Sequence, residues 1–178
     1  MTQLDDASLA ARAVAGDPGA FEDLVTRHHR VLFSVALRML GERADAHDAT
    51  QAAFVKAYEG LGGFDPRFRF FSWIYRILVN ECLNIRRGRR PAEEVTPELA
   101  AVTGTPLEAL ESAERRKRVQ AALQQLPPDY RQVLVLRHFA ELSYDDIAEA
   151  LGVPAKTVKS RLYTARQRMI DLLLDKSR

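Results

Sequence analysis

The sequence has little of what secreted, zinc-binding and membrane-spanning proteins need. Its one cysteine, Cys82, excludes an internal disulfide and a cysteine pair for zinc, as expected in a reducing compartment. No stretch approaches ~18 consecutive apolar residues, and the N-terminus MTQLDDASLAARAV lacks the basic and apolar parts of an export signal. The sequence therefore predicts a cytoplasmic protein with no membrane insertion.

Motifs for catalysis and for cofactors are missing as well. No G-x-x-x-x-G-K phosphate loop occurs, and GLGGF has the composition of a turn. His28 and His29 are adjacent and so lie on different helix faces, while His47 and His138 have no ligand at metal-site spacing nearby. We expect no catalytic residue, no metal and no cofactor.

Charge is nearly balanced overall, at +2, but it is distributed unevenly along the chain. Residues 62–91 carry 7 basic and 2 acidic groups, 92–114 carry 0 and 6, and 115–178 carry 13 and 7. Two basic blocks therefore flank an acidic stretch. Since both basic blocks fall on helical patterns, they favour a polyanionic partner.

Apolar residues recur at three- and four-residue steps over most of the chain, and strand-like alternation is absent. The pattern predicts helices from about Phe21 to Met39, from Ala44 to Leu61 and from Phe70 to Arg87, with more helices beyond residue 106. Between them, GRRPAEEVTPELAAVTGTPLE is rich in Pro, Gly and acids and has no period. We predict an all-α fold of two small helical domains, 1–87 and 107–178, joined by a flexible linker, 88–106.

Residues 142–169, LSYDDIAEALGVPAKTVKSRLYTARQRM, have helix-turn-helix spacing. Ser143 and Asp146 form a capping-box-like start, and Gly152 supplies the turn. The second helix is predicted to bury Val158, Leu162, Ala165 and Met169. Residues 154–168 contain five basic groups and no acidic one, as expected of a recognition helix in the major groove. The alternative is a structural helical hairpin with a solvated basic face.

A second candidate surface lies in the front half. Trp73, Arg76, Asn80, Asn84 and Arg87 fall within an arc of about 80° on one helix face. The preceding loop, GGFDPRFRFF, interleaves four phenylalanines with two arginines, which suits stacking on unpaired bases and contact with phosphates. The alternative is that these phenylalanines belong to the core.

Three blocks of the chain together resemble one family. They are ADAHDATQAAFVKAYEGLGGFD, FFSWIYRILVNECLNIRRGRRP and LQQLPPDYRQVLVLRHFAELSYDDIAEALGVPAKTVKSRLYTARQRM. In this order they resemble the extracytoplasmic function (ECF) sigma factors of the sigma-70 superfamily. The resemblance implies a dissociable subunit that binds bacterial core RNA polymerase, reads duplex −35 and single-stranded −10 promoter DNA, and is held inactive by an anti-sigma factor.

The resemblance also assigns site residues. Asp48 and Gln51 match polymerase-binding positions, with Ala52, where the family often has Glu, and Val55 beside them. The implied −10 residues are Phe64, Arg67, Phe70, Trp73, Arg76, Asn80 and Asn84. The implied −35 residues are Lys156, Thr157, Lys159, Ser160, Arg161, Tyr163, Thr164 and Arg166, with Thr164 standing where Arg or His is common.

Two other classes of function are compatible with parts of the sequence. A stand-alone helix-turn-helix regulator would use the front half for dimerisation or ligand binding. An enzyme with a DNA-binding tail would need a catalytic set in the front half, and none is present.

Overall fold

The computed structural model describes residues 5–65, 68–88 and 106–175, and every regular element in these ranges is helical. The predicted all-α class is confirmed. The elements are α1 (Asp6–Val14), α2 (Pro18–Leu40), α3 (Arg43–Glu59), a 3-10 turn (Leu61–Gly63), α4 (Phe70–Gly88), α5 (Pro106–Gln125), α6 (Pro128–Phe139), α7 (Tyr144–Leu151) and α8 (Ala155–Asp175). The predicted linker, apart from its two end residues, lies outside the described residues.

Local chemistry sets the helix ends. Asp17 accepts hydrogen bonds from the amides of Gly19 and Ala20 at the start of α2, and Pro18 occupies the first turn. Gly41 ends α2 with a φ of 82°, a left-handed conformation that glycine adopts without steric cost. The sequence prediction had no counterpart to α1, whose cap is Asp5.

Helices α1 to α4 form the first unit, in which α2 packs against the other three. A stripe of alanines along α3 is buried throughout, at Ala46, Ala49, Ala53 and Ala57. Small side chains let neighbouring helices approach closely, and leucine and isoleucine side chains of α2 and α4 fill the remaining space. Thr50 and Phe54 are buried beside the stripe, and the opposite side of α3 is exposed and largely polar.

Helices α5 to α8 form the second unit, and it packs directly on the first. Helices α5 and α6 contact α2, while α7 lies on α4. Arg131 of α6 is 1% exposed and donates hydrogen bonds to the carbonyl of Leu123 at 2.6 Å, of Leu126 at 2.8 Å and of Met39 in α2 at 2.9 Å. Its guanidinium satisfies the carbonyls that two helix ends leave unpaired. Sequence periodicity gave no indication of this contact between the units.

Candidate nucleic-acid interfaces

Helix α8 presents the predicted −35 residues on its open side. Its inner side is as predicted, with Val158, Leu162, Ala165 and Met169 all buried. Lys156, Lys159, Ser160, Tyr163 and Arg166 are exposed, and Thr157, Arg161 and Thr164 are half-buried. Tyr163 is 69% exposed, which is unusual for so large a ring and leaves it free to contact a partner.

Short-range contacts fix how α8 meets α7. The Ser143 hydroxyl accepts from the amide of Asp146 at 3.1 Å, and a carboxylate oxygen of Asp146 accepts from the amide of Ser143 at 3.1 Å. This is the reciprocal capping box predicted from the sequence. Gly152, with a φ of 65°, makes the turn into α8. The helix-turn-helix is confirmed.

Two basic side chains of α8 have partners within their own unit. Arg161 pairs with Asp129 at the start of α6, with its nitrogen 2.6 Å from the carboxylate oxygen. Lys159 lies over the ring of Tyr144 at 5.9 Å from its centre, and Arg137 lies 5.3 Å from the same centre. Arg161 therefore reaches outward less freely than Lys159, whose ammonium stays exposed.

The predicted −10 residues of α4 lie on one face. Arg76, Asn80, Asn84 and Arg87 are exposed and Trp73 is half-buried, in agreement with the arc calculated from helical geometry. We call Arg69, Trp73, Arg76, Asn80 and Asn84 the α4 face. Arg67 lies outside the described residues.

The aromatic residues beneath this face are core residues. Phe70 is 2% exposed and Phe64 is buried, and their ring centres lie 5.8 and 5.0 Å from that of Trp73. A Cβ added at Gly60 would lie 3.0 Å from the carbonyl oxygen of Lys56, a tight contact, and 3.4 Å from the indole of Trp73. Of the four phenylalanines, Phe68 is the exposed one, at 52%. In this arrangement Phe64 and Phe70 support Trp73 and offer no free ring to a base.

Helix α3 carries the predicted polymerase-binding residues on its polar side. Asp48, Gln51 and Val55 are exposed and Ala52 is half-buried. Tyr58 lies three residues after Val55 and is also exposed. We call Asp48, Gln51, Ala52, Val55 and Tyr58 the α3 row. The sequence prediction left Tyr58 out, although the steps from 48 to 51, 55 and 58 are helical and could have identified it.

The α4 face is covered at one end by α7. A guanidinium nitrogen of Arg69 lies 2.7 Å from a carboxylate oxygen of Asp146. Arg76 donates to the carbonyl of Ala150 at 3.4 Å and to that of Glu149. This juxtaposition has no signature in the sequence, since 73 to 80 residues separate the partners.

Cys82 lies on the inner side of α4 and is fully buried. Burial raises the pKa of its thiol to about 12, with a smaller contribution from Glu81. A thiol with so little thiolate is a poor nucleophile, so this environment favours a packing role for Cys82 over redox sensing.

Within the described ranges, no three side chains of histidine, cysteine, aspartate or glutamate are grouped closely enough to hold a metal ion. No helix among the described residues combines the length and the apolar character that crossing a membrane requires.

Comparison with known families gives two matches that follow each other along the chain. The family model "Sigma-70 region 2" matches residues 24–91, and the model "Sigma-70, region 4" matches residues 116–169. The first contains the α3 row and the α4 face, and the second contains α6, α7 and most of α8.

Two curated relatives align over nearly the whole chain. The RNA polymerase sigma-H factor of Pseudomonas aeruginosa is 38% identical, covering 94% of this chain and 93% of its own length. The ECF RNA polymerase sigma factor SigW of Bacillus subtilis is 33% identical, covering 90% of this chain and 92% of its own.

Two solved structures share the arrangement. CnrH, determined in complex with the cytosolic domain of CnrY, has a TM-score of 0.76 and 31% identity, covering 94% of this chain and 96% of its own. The sigma factor RpoE from Bartonella quintana, determined in complex with the anti-sigma factor NepR, has a TM-score of 0.72 and 25% identity, covering 86% and 96%.

Proposed function

Because the chain belongs to the ECF sigma factors of the sigma-70 family, we propose that it binds core RNA polymerase, directs it to promoters and promotes DNA opening. It acts in the cytoplasm with the polymerase and catalyses no reaction itself. Residues 1–87 serve polymerase binding and the −10 element, 88–106 form the linker, and 107–178 read the −35 element.

The exposed side of α8 is the observation that carries this proposal. Lys156, Lys159, Ser160 and Tyr163 lie in the first half of a helix that a capped, glycine-linked partner helix holds in place. Early recognition-helix residues reach base edges in the major groove, and lysine bonds the O6 and N7 of guanine. Arg166, Thr157 and Thr164 flank this row, and Arg161 anchors it through Asp129.

The α4 face is proposed to hold the −10 strand. Arg76, Asn80 and Asn84 supply one cation and two amides in a row, a set that suits phosphates and unpaired base edges. Trp73 lies among them, backed by Phe64 and Phe70. An unstacked base would meet an indole held in place from below, and Arg67 would follow the backbone nearby.

The row on α3 is proposed to bind the polymerase. Asp48 and Gln51 provide polar contacts, while Val55 and Tyr58 add exposed apolar surface, a combination typical of protein interfaces. Ala52 replaces a common Glu, so this interface relies on the other members of the row.

An anti-sigma factor is proposed as a further partner. RpoE of Bartonella quintana was solved bound to one, and the chain shares its fold over most of its length. Covering either the α3 row or a DNA-contacting face would suffice to hold the protein inactive.

Run-off transcription tests the proposal. Sigma-free bacterial core polymerase is incubated with a promoter-region library, with and without the protein, and co-elution with core is measured in parallel. Specific transcripts whose start sites share two upstream elements are expected. If neither transcripts nor co-elution is found and the free protein binds duplex DNA tightly and specifically, the chain acts as a stand-alone helix-turn-helix regulator.

A further inference from the structure

The basic side chains of α8 lie on two different sides of the helix. Lys156, Lys159 and Arg166 are exposed and lie within about 60° of Tyr163 around the helix axis. Arg161 lies about 160° from Tyr163, on the side that faces α6, and its side chain is 24% exposed. The guanidinium of Arg161 is therefore turned away from the side that is proposed to read the −35 duplex.

The start of α6 holds Arg161 in this position. A nitrogen of its guanidinium lies 2.6 Å from a carboxylate oxygen of Asp129, in the first turn of α6. The other carboxylate oxygen of Asp129 accepts from the side-chain amide of Gln132 at 3.4 Å, and Gln132 is buried. The positive end of the α6 dipole also favours a carboxylate there. Two contacts and the helix dipole therefore keep Asp129 beside Arg161.

The next residue of α6 contacts a second arginine of α8. The guanidinium carbon of Arg168 lies 4.8 Å from the ring centre of Tyr130. Arg161 and Arg168 are about two helical turns apart, so both lie on the same side of α8. The ring of Tyr130 leaves the charge of Arg168 in place, whereas the carboxylate of Asp129 neutralises the charge of Arg161.

From these contacts we propose that Asp129 is a positioning residue that withholds Arg161 from DNA phosphates, so that α8 binds the −35 duplex with one phosphate contact fewer than its basic residues would allow. This inference rests on the proposed function of α8. Fewer phosphate contacts lower the sequence-independent part of the affinity, so a larger share of the binding depends on base contacts.

Release of Arg161 would make it available to DNA. The side chain of Asp129 is 58% exposed, so the pair lies at the rim of the second unit, where water reaches it. A guanidinium binds phosphate oxygens with the same geometry as carboxylate oxygens. Once the carboxylate charge is removed, a phosphate of the bound duplex is the anion that replaces it.

Asp129→Asn tests the inference, and Asp171→Asn is its matched control. Asparagine at 129 keeps a carbonyl oxygen for Gln132 but loses the charge that pairs with Arg161. Asp171 is exposed on α8, so its replacement changes the net charge equally and leaves the pair of Asp129 and Arg161 intact. Arg161→Gln is made alone and together with Asp129→Asn, and urea unfolding checks that each variant folds.

Binding is measured with holoenzyme, formed with each variant in excess over core polymerase, at salt concentrations from about 0.1 to 0.4 M. One duplex carries the −35 element shared by the run-off transcripts, and the other has this element scrambled. We expect Asp129→Asn to steepen the slope of log affinity against log salt by about 0.9 relative to Asp171→Asn. Its affinity for both duplexes should rise about three- to eightfold at the lowest salt. Arg161→Gln, alone or in the double variant, should give the wild-type slope.

Four results would overturn the inference. Asp129→Asn and Asp171→Asn could give the same slope. Asp129→Asn could bind more weakly with a shallower slope, since Asp129 would then aim Arg161 at a phosphate. Arg161→Gln alone could give a shallower slope, which would mean that the wild-type residue already contacts DNA. The double variant could keep the steeper slope, in which case Arg161 is not its source.

The wild-type chain separates this failure from failure of the proposed function. If wild-type holoenzyme makes transcripts and prefers the −35 duplex while any of the four results is found, the inference alone fails. If it does neither, the proposed function fails and the inference fails with it.

Discussion

Helices α4 and α8 both carry a row of polar and basic side chains, but they use the opposite side of the helix differently. Behind the α8 row lie small and aliphatic residues that hold one helix against its neighbours. Behind the α4 face lies a cluster of Trp73, Phe64 and Phe70, and in front of it lies α7. Under the proposed function, the helix that reads duplex DNA is firmly held and open, whereas the face proposed for the single strand is supported from beneath and has α7 in front of it.

The largest effect is expected on the free energy of unfolding, because the α4 face rests on the buried ring of Phe70 whereas Tyr163 of α8 is exposed. Phe70→Ala should lower the free energy of unfolding by about 3–5 kcal/mol because it leaves a cavity under Trp73. Tyr163→Ala, which changes an exposed ring of α8, should cost within about 0.5 kcal/mol. Urea unfolding measures both. A cost below about 1 kcal/mol for Phe70→Ala would mean that its ring is not a core residue and is available to DNA.

The buried side of α4 is tested by the reactivity of Cys82. With its pKa raised from 9.0 to about 12 and its sulfur buried, the thiol should react more than about tenfold more slowly with a disulfide reagent than a free cysteine at neutral pH. Adding urea should restore the ordinary rate. Asp146→Asn, which removes the charge that Arg69 meets on α7, serves as the comparison. If this variant raises the reaction rate of Cys82, the contact between α7 and the α4 face also stabilises the core of the first unit.

Recognition by α8 is tested at Lys159. Lys159→Ala should weaken holoenzyme binding to the −35 element by about 1–3 kcal/mol and relax the preference at one base pair. Losing its contact with the Tyr144 ring should cost at most about 1 kcal/mol of folding stability. Gln167→Ala, at an exposed position outside the predicted set, is the control. An equal loss on all −35 sequences would assign Lys159 to a phosphate instead of a base.

The smallest effect concerns the charge around α8. Partial burial, with Arg166 and Arg137 nearby, lowers the pKa of His138 below its usual 6.5. The imidazole of His138 therefore takes up a proton more readily in the unfolded chain than in the folded one. The free energy of unfolding should decrease as the pH falls below 6.5 towards the lower pKa of the folded state. His138→Gln should reduce this fall slightly. Urea midpoints at pH 7.5 and 5.5 measure it, and an identical fall in both proteins would contradict the assignment to His138.

Much of each face could be derived from helical spacing. The arc from Trp73 to Arg87 and the inner row of α8 follow from the 100° step, and both agree with the structure. The helix caps at Ser143 and Gly152 could be predicted because each cap depends only on residues within the same helix turn. Helix α1 was not predicted. The resemblance assigned Phe64 and Phe70 to the −10 set, while the residues alone left their burial open, since a phenylalanine in a loop suits a core and a base-stacking surface equally.

The sequence by itself determined the helices other than α1, their inner and outer sides, the helix-turn-helix and the family, because these depend on neighbours within about four residues or on matching motifs. Only the tertiary structure decided that Arg131 links α6 to the end of α2, and that Arg69 and Arg76 face α7. Those partners lie 73 to 92 residues apart. The sequence around a charged side chain or a carbonyl group does not indicate a partner so far along the chain, because that partner is determined by how the helices pack.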